Sequence, residues 1–166
     1  MMTEFTHLDA EGRVRMVDVG GKKESKRVAI AMGSIAMEPG TLDRIVDERV
    51  KKGNVLETAR IAGVMAAKKT ADLIPMCHPL NITHARIDFF PDKDASLIHI
   101  EAEVSLTGRT GVEMEAMTAV CVAALTIYDM CKSYDKAMVI SGIYLKSKSG
   151  GKSGTYTAGA NGNPAK

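Results

Sequence analysis

The pattern of apolar and polar residues along the chain predicts four β-strands, two of which show alternation. The clearest is SLIHIEAEVSL at residues 96–106, where Ile98 and Ile100 alternate with His99 and Glu101. The other predicted strands are RVAIAMGSIAM at 27–37, ITHARIDFF at 82–90 and AMVISGIYLKSK at 137–148. The segment PDKDA, which precedes the clearest strand, has the length of a hairpin turn.

Helical segments lie between these strands. Thr41 is a good N-cap for a short helix over residues 42–50, and Asn54 with Glu57 forms a capping box for a helix that extends to residue 74. A third, long helix is predicted over residues 112–135. The order β-α-α-β-β-α-β predicts an α+β protein of the ferredoxin-like, split βαβ type. Its sheet should be antiparallel and four-stranded, with the helices on one face.

The long helix is apolar on every side. Between Ala116 and Met130 it has one acid, Asp129, and no base. A helix on the surface of a monomer would have a polar stripe. We therefore expect this helix to be buried on two sides, by its own sheet and by another subunit, so that the protein is a homo-oligomer.

Composition and charge narrow the class of protein. The chain has 166 residues, of which 45% are hydrophobic and 25% charged, and its net charge of +2 argues against a dedicated nucleic-acid-binding protein. We expect a mobile N-terminal arm over residues 1–26, a ferredoxin-like domain over 27–148 and a flexible Gly- and Lys-rich segment over 149–166.

The same sequence indicates where the protein resides. No apolar run approaches the roughly 20 residues that a bilayer-spanning helix needs, and the N-terminus does not have the form of a secretory signal. The three cysteines lack the CxxC spacing of a zinc site and do not suggest a disulfide framework. We expect a cytoplasmic protein that binds no membrane and no structural metal.

The C-terminal stretch KSKSGGKSGTY contains Gly-Gly-Lys-Ser, which is part of a phosphate-binding P-loop. The full pattern requires a glycine where this chain has Lys146, and a helix that the following residues do not predict. The stretch is therefore either a solvated basic tail or a flexible segment that holds an anion with Lys146, Lys148 and Lys152. Lys51 and Lys52, just before a helix N-terminus, are a second candidate anion site, with a solvated loop as the alternative.

Asp129 and Lys132, near the C-terminal end of the long helix, are candidates for acid–base chemistry. An ordinary surface pair of residues three apart is the alternative. However, the helix dipole disfavours an acid at this end, and the neighbouring residues are apolar. We favour a functional pair with altered pKa values, in which desolvation lowers the pKa of the lysine toward neutrality.

Other candidates lie at the opposite end of that helix and in the loop before the second strand. Glu113 can belong to a capping box with Thr110, which would explain it structurally. The 14 residues from Glu115 to Asp129 span about 21 Å of helix, so a substrate that contacts both ends needs a second subunit. His78 lies in a loop stiffened by prolines, where it is either structural or directed at a ligand.

Six blocks of the sequence together resemble the cyclic pyranopterin monophosphate synthases, the accessory protein C family of molybdenum cofactor biosynthesis. The blocks are MVDV, KKGNVLETARIAG, DLIPMCHPL, LTGRTGVEMEAMTA, AALTIYDMCK and KSGGKSG, and they extend from about Met16 to about Gly154. The resemblance implies a ferredoxin-like protomer in a hexamer of three dimers, with active sites between subunits.

The resemblance also implies an activity. Members of the family convert (8S)-3′,8-cyclo-7,8-dihydroguanosine 5′-triphosphate to cyclic pyranopterin monophosphate and release pyrophosphate. This is a lyase reaction in which side chains transfer protons, without a resident metal or redox cofactor. Whether Mg²⁺ accompanies the triphosphate, and in which order the protons move, stays open.

By the same resemblance, particular residues acquire roles. Asp129 and Lys132 of IYDMCK are the implied catalytic pair. The implied contacts to the substrate are Met76, Cys77 and His78 of PMCHP and Glu113, Met114 and Glu115 of GVEMEA. The implied partners of the triphosphate are Lys52 of KKGNV and the tail lysines Lys148 and Lys152. Position 54 is more often Asp than Asn in the family, and both are good N-caps.

Two alternatives compete with this reading. One is a ferredoxin-like module that binds nucleic acid or nucleotides. The aromatic content of only 4% and the absence of a row of stacking aromatics on either central strand argue against it. The other is an inactive oligomeric scaffold, which full solvation of the Asp129–Lys132 pair would favour.

Overall fold

The structure, a computed structural model, describes residues 11–159. In chain order its elements are β1 (Ser25–Ala36), α1 (Pro39–Val46), α2 (Val55–Lys68), α3 (Thr70–Leu73), β2 (His84–Asp92), β3 (Leu97–Gly108), α4 (Glu113–Cys131), β4 (Val139–Ser149) and β5 (Tyr156–Thr157). Every predicted strand is present with its ends displaced by a few residues, and so are the first and third predicted helices, but the helix predicted to extend to residue 74 is divided at Lys69 into α2 and α3. The strands form one open antiparallel sheet in the order β2-β3-β1-β4-β5.

The sheet has five strands, so the prediction of four was wrong. The additional strand, β5, is only two residues long and pairs with Ser147 and Lys148 of β4. Two residues are too few to produce an alternating pattern, which is why the sequence did not predict it. This strand lies within the segment after residue 148, where a flexible tail was expected. Its pairing with β4 makes residues 150–155 a closed loop rather than an open end.

One face of the sheet forms the core with the helices. Ile35 of β1, Ile87 of β2 and Ile100 of β3 are fully buried and belong to a single apolar cluster with residues of α1, α2 and α4. The helix α4 lies very close to the central strand. A Cβ atom at Gly33 would lie 2.6 Å from a methyl carbon of Val120. Glycine at this position therefore permits the close packing of α4 on β1.

The helix α4 leaves an apolar stripe uncovered within one chain. It packs on the sheet and on α2, but Met114 and Leu125 on its outer side are exposed, and Ile61 and Met65 of α2 are exposed as well. By length and composition alone, α4 could cross a membrane. The expectation that no segment reaches that length was therefore wrong. Its burial against the sheet accounts for the apolar composition, because the core helix of a soluble protein meets the same criteria.

The helix ends test three capping predictions. The Asn54 side chain accepts a hydrogen bond of 3.0 Å from the backbone N–H of Glu57, which confirms the cap of α2. The Thr41 cap was wrong, because Pro39 fits the first turn and α1 begins before Thr41. The capping box at α4 was also wrong. Val112 holds the N-cap position and has no capping side chain.

Candidate active site

Two adjoining cavities lie beside the N-terminal end of α4. The larger, of about 1030 Å³, is bounded by residues 21–28, 109–113 and 148–153. The smaller, of about 280 Å³, lies between the first turn of α4, the loop at residues 76–80 and the chain before β1. Both cavities are lined by Lys22, Thr110, Gly111 and Glu113. The two cavities therefore adjoin along these residues.

The larger cavity is strongly basic. Its lining includes six basic side chains and only two acidic ones, Glu24 and Glu113; the basic ones are Lys22, Lys23, Arg27, Arg109, Lys148 and Lys152. The hydroxyl of Ser25, in the same wall, is buried and has no hydrogen-bond partner among the described residues. The excess of cations is suited to a ligand with several negative charges.

Four of these basic residues, Lys22, Lys23, Arg27 and Arg109, were not predicted from the sequence to belong to the site. Lys22 and Lys23 were assigned to a mobile arm, and Arg27 was taken as the first residue of a strand. The structure places them opposite Lys148 and Lys152, which were predicted. The local density of Lys and Arg in GGKKESKR was the only available signal, and it did not indicate which side chains face the tail.

The smaller cavity brings together all the predicted substrate contacts other than the lysines. They come from two segments far apart in sequence: Met76, Cys77 and His78 from the loop, and Glu113, Met114 and Glu115 from α4. The helix begins at Glu113, so its first turn carries all three of its contributions.

Glu115 is the residue of this cavity whose protonation is most altered. Glu115 is only 3% exposed. Burial, together with the nearby charge of Glu113, raises the pKa of Glu115 from 4.5 to about 7. Burial also raises the pKa of Cys77, with a contribution from the charge of Glu115. A carboxyl group with a pKa near 7 can both donate and accept a proton at neutral pH.

Glu113 connects the two cavities through an ion pair. One of its carboxylate oxygens accepts a hydrogen bond of 2.8 Å from Nζ of Lys148, and both side chains are less than one-third exposed. The carboxylate lies over Gly111, where a side chain would collide with it. Glu113 is therefore paired with Lys148 of β4 rather than with Thr110, contrary to the capping explanation.

Asp129, Lys132 and Lys52 meet at the other end of α4. Nζ of Lys132 lies 2.7 Å from one carboxylate oxygen of Asp129, and Nζ of Lys52 lies 3.7 Å from the other. Lys52 also donates a hydrogen bond of 2.8 Å to the backbone carbonyl of Asp129. The two lysines thus compensate the unfavourable position of an acid at a helix C-terminus.

The protonation of this pair differs from the prediction. Hydrogen bonding to Lys132, followed by the positive charges of Lys132 and Lys52, lowers the pKa of Asp129. Hydrogen bonding to Asp129 raises the pKa of Lys132, so the predicted lowering was wrong for the single chain. The desolvation that the prediction assumed is absent, because the side chains of Asp129 and Lys132 are 62% and 53% exposed to water. Both groups are charged at neutral pH.

The two ends of α4 do not meet within one chain. About 21 Å of helix separates Glu115 from Asp129. Lys52 lies with Asp129 and not with Lys148 and Lys152, although all three lysines are implied partners of one triphosphate. One chain therefore presents two incomplete groups of predicted site residues. Within residues 11–159, no three His, Cys, Asp or Glu side chains lie together as a metal site would require.

Comparison with known proteins gives a consistent result. A profile described as the MoaC family matches residues 16–151. The chain is 73% identical over 163 residues to a cyclic pyranopterin monophosphate synthase of Desulforapulum autotrophicum, an alignment that covers 98% of this chain and 100% of the relative. It is 63% identical over 155 residues to the same-named protein of Desulfatibacillum aliphaticivorans, covering 93% and 98%. With that of Chloroflexus aggregans it shares 58% over 153 residues, covering 92% and 93%.

Proposed function

Because the chain belongs to the MoaC family, we propose that it is a lyase of molybdenum cofactor biosynthesis that forms cyclic pyranopterin monophosphate. Its substrate is (8S)-3′,8-cyclo-7,8-dihydroguanosine 5′-triphosphate, and its second product is pyrophosphate. The observation that carries this proposal is the pair of adjoining cavities, of which one is basic and the other contains a carboxyl group with a pKa of about 7.

The larger cavity binds the triphosphate. Lys148 lies near the end of β4, Lys152 in the loop that follows it and Arg109 in the turn before α4. Cations from different segments therefore surround the cavity. In the reaction, a hydroxyl of the substrate attacks the α-phosphorus while the bond to the departing pyrophosphate breaks. The surrounding cations stabilise the negative charge that develops on that leaving group.

The smaller cavity binds the ring system that is rearranged. Conversion of the purine-derived ring to a pyranopterin requires proton transfers, and the pKa of Glu115 lies near the pH at which they occur. His78 and Cys77 line the same cavity and contact the ring. We propose acid–base chemistry by side chains, and a titration of activity with Mg²⁺ would test whether the triphosphate brings a metal ion.

The complete site contains two subunits. We propose that Asp129, Lys132 and Lys52 of one chain face the cavities of a neighbour, in a hexamer of three dimers. Three observations support this: the two groups lie at opposite ends of α4, Asp129 is exposed in the single chain, and α4 carries an uncovered apolar stripe. A neighbouring subunit would desolvate Lys132 and shift its pKa downward, as general acid–base chemistry requires.

The fold type and the cellular compartment expected from the sequence also belong to this proposal. The protomer is ferredoxin-like, a conclusion supported by the order β2-β3-β1-β4, which interleaves two split βαβ units. The enzyme acts in the cytoplasm, and its three free cysteines, Cys77, Cys121 and Cys131, suit that reducing compartment.

Turnover tests the activity directly. The full-length protein is incubated with the cyclised GTP derivative, and pyrophosphate and pterin product are measured. Asp129→Asn and Lys132→Ala should keep the oligomer and lose turnover, whereas Lys136→Ala, an exposed lysine just beyond α4, controls for loss of a positive charge. Absence of product from the wild type would contradict the proposed activity. Turnover by both variants at the rate of the control would contradict the assigned roles.

A mixing experiment tests the shared site. Asp129→Asn and Glu115→Gln each inactivate one end of α4, and the two variants are mixed in equal amounts and allowed to exchange subunits. If each site takes one end from each of two chains, both ends are intact in about a quarter of the sites, so about a quarter of wild-type activity should return. No recovery, when native mass spectrometry confirms mixed oligomers, would indicate that each chain uses its own two ends.

A further inference from the structure

Arg27 is a buried cation without a carboxylate partner among residues 11–159. It is only 9% exposed and lies at the start of β1, in the wall of the larger cavity. Its guanidinium donates three hydrogen bonds to backbone carbonyls: from Nε to Gly108 (3.3 Å), from Nη2 to Arg109 (3.3 Å) and from Nη1 to Gly150 (3.2 Å). One side chain therefore connects the end of β3 to the loop that follows β4.

The glycines of the Gly-Gly-Lys stretch fit closely against this region of β1. Gly150 and Gly151 both have positive φ angles, of 99° and 73°. A Cβ atom at Gly150 would overlap the backbone carbonyl of Lys26, and one at Gly151 would overlap the guanidinium of Arg27. The two glycines are thus required because the loop lies directly on β1.

The segments that Arg27 connects carry cations on different sides of the larger cavity. Arg109 belongs to one segment, and Lys148 and Lys152 flank the two glycines of the other. Six basic side chains face only two acidic ones around this cavity, so repulsion tends to separate the segments that carry them, and an attachment within the protein opposes that separation. Pairing of β5 with Ser147 and Lys148 anchors the far end of the loop, and the bond from Arg27 anchors its first residue, Gly150.

We propose that Arg27 is a positioning residue, which holds the loop at residues 150–153 against the turn at 108–111 and so keeps Arg109, Lys148 and Lys152 directed at one anion. The identity of that anion, the pyrophosphate portion of the substrate, rests on the proposed function. Without Arg27 the loop would adopt the binding conformation in a smaller fraction of molecules, and the apparent affinity would fall by that fraction.

Inorganic pyrophosphate is the probe, and its dissociation constant is measured by calorimetry with the full-length oligomer at fixed ionic strength. Arg27→Ala should weaken binding by about tenfold, as expected if about a tenth of the molecules hold the loop in place. Arg27→Lys keeps the charge but cannot reach three carbonyls, so it should also weaken binding. This second variant provides the test if Arg27→Ala does not fold.

Glycine variants separate positioning from backbone strain. Gly151→Ala should weaken pyrophosphate binding, because its Cβ meets the guanidinium. Gly154→Ala is the matched control, since Gly154 also has a positive φ, of 66°, but a Cβ there would have no atom within 4 Å. In the double variant Arg27→Ala/Gly151→Ala the colliding group is absent. The double variant should therefore bind pyrophosphate as tightly as Arg27→Ala does. Independent effects would instead weaken binding by the product of the two single-variant factors.

The outcomes distinguish this inference from the function on which it rests. If the wild type does not bind pyrophosphate, the anion site itself is refuted. If the wild type binds but Arg27→Ala and Arg27→Lys bind equally well, even with a lower Tm, Arg27 has only a structural role and the inference is overturned. Equal weakening by Gly154→Ala and Gly151→Ala would also overturn it, because backbone strain would then explain both.

Discussion

Glu115 should make the stability of the protein depend on pH between about 4.5 and about 7. Its pKa is raised to about 7 in the folded chain, first by burial and then by the charge of Glu113, whereas unfolding restores the ordinary value of 4.5. Between these values the folded protein holds a proton that the unfolded chain has released. The stabilising contribution is therefore complete below about pH 4.5, decreases as the pH rises, and is lost above about pH 7.

The size of the effect follows from the two pKa values. At about 1.4 kcal/mol for each pH unit, the interval from 4.5 to about 7 corresponds to about 3 kcal/mol in the free energy of unfolding. Glutamine has nearly the same shape as protonated glutamate and no charge to bury. The wild type should thus lose about 3 kcal/mol relative to Glu115→Gln over this range, a large fraction of the stability of an ordinary domain.

Urea unfolding of both proteins, followed from about pH 4.5 to about pH 8 at one protein concentration, measures this difference. Glu57→Gln, which removes an exposed acid from the first turn of α2, provides the background for loss of a carboxylate near a helix N-terminus. If the free energies of wild type and Glu115→Gln change in parallel across the range, Glu115 does not have a raised pKa and its proposed role in proton transfer fails.

Two predictions concern packing and capping. Gly33→Ala should lower the free energy of unfolding by about 1–3 kcal/mol, because its Cβ would lie 2.6 Å from Val120. The control in the same urea titration is Gly40→Ala, whose Cβ would have no atom within 4 Å. Asn54→Ala should lower it by about 1 kcal/mol by removing the acceptor for the N–H of Glu57, and thermal unfolding at wild-type Tm would contradict that cap.

The sequence predicted those parts of the fold that have a local pattern. Strands β1 to β4 and the hairpin turn between β2 and β3 were expected because each strand is nine or more residues long and has a local apolar pattern, which alternates most clearly in β3. Capping was predicted where one side chain decides it, at Asn54. It failed at Thr41, because Pro39 fits the first turn of α1, and at Thr110, because the Glu113 carboxylate pairs with Lys148 of β4. The ion pair has no signature in the sequence near Thr110, whereas Pro39 is a local signal for a helix that begins before Thr41.

The site was predicted unevenly for the same reason. Family resemblance grouped the residues around His78 with those around Glu115, and the structure places both groups at one cavity. Arg27 was missed, because its role depends on carbonyl groups 81 and 123 positions further along the chain. A strand that begins with arginine is common, and only the meeting of three segments distinguishes this one.

The protonation states of the two ends of α4 explain why assembly should matter for activity. In the single chain Asp129 has a lowered pKa and Lys132 a raised one, so each stabilises the charge of the other and neither exchanges a proton readily at neutral pH. Glu115, whose pKa is about 7, is suited to that exchange, but it lies at the opposite end of the helix. Covering Asp129 and Lys132 with a neighbouring subunit removes water from an ion pair, which weakens the preference of the lysine for its charged form. The same contact would bring that lysine toward a second chain's Glu115. Oligomerisation would thus both complete the site and adjust the pKa of its lysine, so that a dissociated chain should bind pyrophosphate but not turn over substrate.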